Sequence, residues 1–394
     1  FRNFLGRRRY EILHGTASQR LARLDREADF YIVNHDGIGV GAHTRKRYLE
    51  LDGFAHALAQ RTELRIVVVD EATAYRDSTT RRHRVARLVF GNRPYLWLLT
   101  GTPTPNSPTD AYGLARLCNN ALGKSFTAFR AETMYKPFPQ SFKWLPKSDG
   151  YDKARQLLQP AIRYDIKAVW DGPEMTTQQR QVPLTATQTK LLADLKRSLV
   201  VTVESGETIT AINEAAARTK FLQIVLGAIY DSDHDIHLTD AKSRLDELKA
   251  VIREAPGKLL VFAPLTSVVD LTTRELAKEW TVEKVYGGTS QKDRNRIFKG
   301  FQDDVAPRIL IADPGTMAHG LDLFRAETVV WYGPTDKTEL YLQANKRAHR
   351  PGQKHPVTVV QLVATPLENE IYRRLDTNTT LQGALLDVIK RGEL

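Results

Sequence analysis

A chain of 394 residues is long enough for two or three domains with proper cores. With 42% hydrophobic and 26% charged residues it has the balance of a globular protein, which excludes a disordered basic tail, and a net charge of +11 favours an anionic partner without saying which. A single cysteine, Cys118, excludes an internal disulfide framework and a cysteine-rich zinc site; no apolar run reaches membrane-span length and no signal-peptide pattern opens the chain, so a reducing, cytoplasmic setting is expected.

The chain opens on Phe1 with residues that read like the middle of a domain, and upstream sequence is expected. Tyr10–His14 reads as a short strand, Ser18–Glu27 as an amphipathic helix and Phe30–Asn34 as a second strand, the alternation of an α/β unit. His35, Asp36 and Gly37 form a loop at that strand's carboxyl end. The triplet Arg7, Arg8 and Arg9 reads first as a soluble edge and only second as a phosphate contact. Leu64–Val69, LRIVVV, is nearly continuous apolar sequence rich in β-branched residues, which predicts a parallel strand covered on both faces.

That strand ends in Asp70-Glu71-Ala72-Thr73, and the carboxyl ends of strands in open α/β sheets are where ligands bind. One carboxylate there can hold Mg²⁺, directly or through water, while its neighbour orients and deprotonates an attacking water. A strand that simply ends in a polar loop is the plainer reading. Tyr95–Asn106 is a further apolar strand that breaks into Thr-Gly-Thr-Pro. Thr100 and Thr102 offer hydroxyls beside the flexible Gly101, which suits a relay between an ATP site and a moving surface, although alone the run reads equally as a turn.

Asn119–Tyr164 is poor in strand pattern and rich in Phe, Trp, Lys and Pro; Asn213–Tyr230 and Ala241–Glu254 read as helices. Trp144 and Trp170 can stack on bases, though packing is the commoner use of tryptophan. From Lys258 the alternation is regular: strand Leu259–Phe262, helix Thr266–Trp280, strand Val282–Tyr286, helix Ser290–Phe301, strands Arg308–Ala312 and Thr328–Tyr332, helix Asp336–Arg350, strand Val357–Leu362 and a last helix from about Leu367. This is a second complete α/β lobe.

Two loops of this lobe suit phosphate. Gly287-Gly288-Thr289-Ser290 precedes a helix with Ser290 and Asp293 at capping-box spacing, and the free amides of Gly288, Thr289 and Ser290 can receive a phosphate of a nucleic-acid strand. Gly315-Thr316 can do the same; capping without a ligand is the plainer alternative. In Tyr341–Gln353, YLQANKRAHRPGQ, Asp336 and Glu339 have capping-box spacing and Pro351 stops the helix at about Arg350. Gln343, Arg347 and Arg350 then fall at i, i+4 and i+7, placing an amide and two guanidiniums on one polar stripe suited to phosphate, or on a solvated basic face.

DEAT (70–73) and LLTGTP (98–103), followed by QANKRAHRPGQ (343–353), resemble motifs II, III and VI of the Swi/Snf family of DNA translocases in helicase superfamily 2. KLLVFAP (258–264), YGGTSQKDRNRIFKGF (286–301) and ILIADPGTMAHGLDL (309–323) look like motifs IV, IVa and V, so the resemblance spans essentially the whole chain. It implies an α/β fold of two RecA-like lobes with parallel sheets and helical projections between them. Residues 1–165 would be the first lobe, incomplete at its start. Residues 166–240 would be connector, carried by 162–175, and projection, beginning in 182–195; residues 241–394 would be the second lobe. ATP would lie in the cleft between lobes, with Asp70 on Mg²⁺, Glu71 on the water, and Gln343, Arg347 and Arg350 from the second lobe, so that closure controls turnover.

Three departures from the family pattern matter. Thr73 stands where the family usually has histidine, so the coupling of motif II to motif III is expected to differ. Motif V reads HGLDL, closer to the DEAD-box version, and by that analogy Gly320 and Asp322 would lie near the nucleotide ribose. The glycine-rich phosphate loop ending in Lys-Thr or Lys-Ser is absent; Gly123-Lys124-Ser125 imitates only its ending. The resemblance thus implies most of an ATP-driven double-stranded DNA translocase, whose present residues alone are expected to be inactive. A nucleic-acid-binding scaffold that lost hydrolysis is the alternative, and a strand-separating DNA or RNA helicase the third. Duplex DNA is the expected partner, then single-stranded nucleic acid or a DNA-bound protein, with no membrane. The compact form suggests a bacterial or phage protein.

Overall fold

The computed structural model describes residues 8–45, 48–141, 144–164, 170–204, 211–230, 236–238, 240–317, 322–377, 388 and 391. Phe1–Arg163 and Tyr164–Leu394 are two compact units.

The first unit runs β1 Tyr10–Ile12, α1 Ala17–Leu24, β2 Phe30–Ile32, β3 Ala42–Arg45, β4 Tyr48–Leu51, α2 Gly53–Gln60, β5 Ile66–Val69, α3 Arg81–Phe90, β6 Tyr95–Leu98, α4 Ala111–Cys118, α5 Phe126–Thr133, β7 Met134–Tyr135, β8 Leu145–Pro146 and α6 Gly150–Leu157. Thr16 and Gln19 close a reciprocal capping box that starts α1. β1 pairs with β2 in parallel, Tyr10 against Phe30, and β5 pairs with β6 in parallel, Ile66 against Tyr95 through Val69 against Leu98. Leu24, Phe54, Tyr75, Val85 and Val89 pack beneath them.

β5 departs from expectation. Val69 is buried, but Ile66 is 58% and Val68 52% exposed, and Tyr95 and Trp97 of β6 are exposed beside them. The alternation of a strand sends these side chains to the face opposite Val69, and among the described residues nothing covers it. Tyr112 of α4 with Phe129, Ala154 and Leu157 of the Asn119–Arg163 stretch forms a small separate core that holds α4, α5 and α6 together.

The second unit runs β9 Met175–Gln181, α7 Ala186–Glu204, α8 Ala211–Leu226, β10 Ala228–Tyr230, β11 Ile236–Leu238, α9 Lys242–Glu254, β12 Lys258–Phe262, α10 Thr266–Leu276, β13 Val282–Val285, α11 Gln291–Asp303, β14 Ile309–Ala312, β15 Ala326–Trp331, α12 Thr338–Ala348, β16 Val357–Val363 and α13 Pro366–Asp376. α8 stops earlier than the expected helix over Asn213–Tyr230, because Gly227 turns left-handed (φ 93°) and its hydrogen faces the Ala241 methyl where a Cβ would clash.

Six strands form one all-parallel sheet in the order β13-β14-β12-β15-β16-β9. Every residue of β12 and β14 is buried, as expected of parallel strands with helices on both faces. β9 was not legible as a strand: MTTQQRQ is mostly polar because it is an edge, joined through Met175 against Val357 to Gln181 against Val363. A buried ion pair ties α9 to α13, Arg244 Nη2 donating to Glu368 Oε1 at 2.7 Å and Oε2 at 3.0 Å. Arg244 Nη1 also donates to the Tyr332 carbonyl at 2.5 Å.

Candidate functional site

At the carboxyl end of β5 the backbone turns sharply through Glu71, which adopts φ 47°, ψ 50°. A left-handed residue with a Cβ costs about 1 kcal/mol, so the corner persists because its surroundings hold it. Ala72 N–H donates to Leu99 O (2.9 Å) and Leu99 N–H to Val69 O (2.8 Å), extending the β5–β6 pairing past the acidic pair. The residues on either side of Asp70 and Glu71 are thereby bonded to Leu99, which leads into Thr100-Gly101-Thr102, where Thr100 Oγ1 accepts the Thr102 N–H at 3.1 Å.

Asp70 is exposed, and its Oδ1 accepts the Glu71 N–H at 3.0 Å. That bond orients the carboxylate and leaves Oδ2 for a metal. Among the described residues no cluster of three or more His, Cys, Asp or Glu side chains gathers to hold a metal. One outward carboxylate oxygen suits Mg²⁺, which keeps several waters and takes phosphate oxygens for the rest. Thr73, in the position where the family pattern has histidine, is buried.

His35, at the carboxyl end of β2, was read only as a loop residue. Its Nδ1 lies 3.0 Å from Tyr75 Oη, one turn after Glu71. Burial pushes the Tyr75 phenol up to about 12, so it stays neutral. The available signal was the placement of His35 at a strand end.

In the second unit, α12 departs from expectation at both ends. It begins at Thr338 after Lys337, which makes no side-chain cap, so the Asp336/Glu339 capping box does not form; Glu339 instead accepts from Gln343 Nε2 at 3.3 Å. The helix ends at Ala348, leaving Arg350 outside it, and the single stripe of Gln343, Arg347 and Arg350 is broken. Arg347 is buried and turned to the loop after β14, its Nε donating to Met317 O at 2.9 Å, while Leu323 N–H donates to Arg347 O at 3.1 Å. Arg350 pairs with Asp322, Nη1 to Oδ1 at 2.5 Å. The two arginines thus bind motif VI to motif V at two points, Met317 and Asp322. Gly320 lies outside the described residues.

The opposite face of α12 is anchored by polar groups that periodicity does not reveal. Trp331 Nε1 donates to Asn345 Oδ1 at 2.9 Å, Tyr341 Oη to Asp376 Oδ1 at 2.8 Å, and Gln361 Nε2 to Tyr341 Oη at 2.8 Å.

The glycine loops differ from one another. Ser290 caps α11, its Oγ accepting the Asp293 N–H at 3.1 Å. Thr289 N–H is engaged by Tyr286 O at 3.0 Å, while the amides of Gly288 and Ser290 make no internal hydrogen bond among the described residues. After β14 the expected free amides are taken: Gly315 N–H donates to Asp313 Oδ1 at 2.6 Å, and Thr316 N–H to Asp313 O at 3.0 Å. An aspartate two residues before the glycine competes successfully for amides a phosphate would need. Burial still raises the Asp313 carboxyl above its ordinary value, against those bonds. Gly123-Lys124-Ser125 is structural: Ser125 caps α5 and Lys124 pairs with Glu132 at 2.6 Å. Trp170 packs on His349, with ring centroids 5.0 Å apart.

Comparison with known proteins matches residues 42–230 to the SNF2-related domain and residues 243–352 to the helicase conserved C-terminal domain. An uncharacterized ATP-dependent helicase of Mycoplasma genitalium is 23% identical over 304 residues, covering 76% of this chain and 28% of that protein. The chromodomain-helicase-DNA-binding protein 1-like of Danio rerio is 24% identical over 347 residues, 82% of this chain and 32% of its own. Protein p41 of Acyrthosiphon pisum secondary endosymbiont phage 1 is 25% identical over 416 residues, 96% of this chain and 81% of its own. The chain therefore spans less than a third of the first two relatives and most of the phage protein. Matched by the two domain models in that order over about three quarters of its length, the chain belongs to the Swi/Snf-type family of helicase superfamily 2.

Proposed function

We propose that this chain is the motor of a cytoplasmic, ATP-driven translocase that moves on double-stranded DNA without separating its strands. What carries the reading is the Asp70–Glu71 corner, an acidic pair at the carboxyl end of a parallel strand, with Glu71 left-handed and the flanking Val69 and Ala72 bonded to Leu99, the residue before Thr100. Mg²⁺ bound with ATP supplies charge neutralisation at the phosphates. Asp70 offers the outward carboxylate for it, and Glu71 orients the attacking water and takes its proton. Arg347 and Arg350 stabilise the charge on the leaving γ-phosphate, and Gln343 assists in placing the water. For Arg350 this means exchanging Asp322 for phosphate, and a partly exposed ion pair of that kind costs under about 1 kcal/mol to give up. Thr100 and Thr102 relay the state of that corner, while the unbonded amides of Gly288 and Ser290 receive backbone phosphate.

Duplex DNA as the track is supported by the family and by the DNA-binding name of the Danio rerio relative. The alternative is a nucleic-acid-binding scaffold that has lost hydrolysis. Glu71→Gln separates the two. A motor loses duplex-stimulated ATP hydrolysis with this substitution and keeps its DNA affinity; hydrolysis that continues unchanged would remove Glu71 from its role.

A further inference from the structure

The stretch from Asn119 to Arg163 carries none of the motor motifs, yet it holds eight lysines and arginines against three acids. All three acids are matched: Glu132 with Lys124 at 2.6 Å, Asp149 with Lys153 at 2.6 Å and Asp152 with Arg155 at 3.3 Å. Arg130 and Lys136 have no carboxylate partner among the described residues, and both lie over the ring of Trp144, 4.5 and 5.5 Å from its centroid. The buried Nε of Arg130 has no hydrogen-bond partner there either. Two cations gathered on one indole repel each other, and an anion beside them relieves that repulsion.

Flat apolar surface adjoins the charge. Tyr135, on the β7–β8 hairpin, is 44% exposed, Phe138 in its loop 59%, and Phe126, whose ring faces Arg130 at 5.5 Å, 39%. Exposed rings grouped with unpaired cations match a ligand that is anionic along one edge and flat along the other. We propose that this hairpin surface binds a single-stranded nucleic-acid segment, with phosphates at Arg130 and Lys136 and unpaired bases stacked on Tyr135 and Phe138. A duplex would satisfy the cations but keeps its base faces stacked internally, leaving the rings uncovered. An acidic peptide would likewise answer only the charge.

The test is fluorescence anisotropy of the full chain without nucleotide, on labelled oligothymidine and on a duplex. Phe138→Ala and Tyr135→Ala each weaken oligothymidine binding by roughly fivefold or more and leave duplex affinity unchanged. Replacing both cations, Arg130→Gln with Lys136→Gln, lowers the salt slope on the single strand by about 1.4. Ultraviolet crosslinks from 4-thiothymidine fall in the peptide Met134–Lys147. The proposal is overturned if the ring variants bind oligothymidine like the parent, if the crosslinks map only elsewhere, or if the charge variant weakens only duplex binding. No motor residue is altered and no ATP is present, so failure here leaves the translocase reading standing, and failure of hydrolysis leaves this one standing.

Discussion

Arg347 and Arg350 carry the same charge three residues apart and are held in opposite ways. Arg347 is buried with its Nε on the Met317 carbonyl. Arg350 is partly exposed and paired with Asp322, itself 59% exposed. A buried charged hydrogen bond is worth about 1.5–3 kcal/mol, an exposed ion pair under about 1 kcal/mol. Arg347→Ala is therefore expected to lower the stability of the second unit by roughly 2 kcal/mol along with turnover. Arg350→Ala should slow turnover by roughly 10²-fold or more while its melting curve stays near that of the parent. Calorimetry beside steady-state hydrolysis distinguishes them; loss of cooperative melting in Arg350→Ala would make that arginine structural.

At the scale of elements, α12 depends on Asn345. Its side-chain oxygen takes the buried Trp331 indole N–H, and Tyr341 one turn earlier is bonded to Asp376 and Gln361. Asn345→Leu leaves a buried donor unsatisfied, and a loss of about 1–3 kcal/mol in stability is expected, read as a lower urea midpoint at an unchanged slope. An unchanged midpoint would show that the bond is dispensable. α13 gives a pH test. The Arg373 guanidinium, helped by Arg374 and opposed by burial, holds the Glu370 carboxyl down at about 2. A carboxyl depressed from its ordinary value stabilises the fold above that ordinary value, and the contribution disappears as pH falls toward 2. Glu370→Gln should therefore cost of order 2 kcal/mol at neutral pH and nearly nothing near pH 2; an equal cost at both would assign the loss to packing. The elements themselves were largely legible, because the apolar strands of the second unit alternate with amphipathic helices. Their ends were less so: Asp336 and Glu339 had the right spacing for a cap, yet the chain enters α12 one residue later, and two residues off its far end Arg350 left the stripe.

Over the whole molecule, the sheet of the second unit was visible in sequence except at β9, whose polar edge residues carry no burial signal. The Arg244–Glu368 pair was invisible for another reason: its members lie 124 positions apart, and only the packing of α9 against α13 joins them. Leu64–Val69 misled in the other direction, since an apolar run reports what a strand tolerates and not what covers it; Ile66 and Val68 remain exposed. Motifs II and III were legible as separate runs, but the backbone bond from Ala72 to Leu99 that joins them was not, nor was the capture of the Gly315 amide by Asp313.

Movement along intact duplex is tested most directly by triplex displacement with the protein, comparing parent and Glu71→Gln, beside a forked duplex under the same conditions. Release of the third strand by the parent with ATP, none by Glu71→Gln, and an intact fork is the expected result. A triplex left in place while ATP is consumed, or a fork driven apart, would contradict a double-stranded DNA translocase.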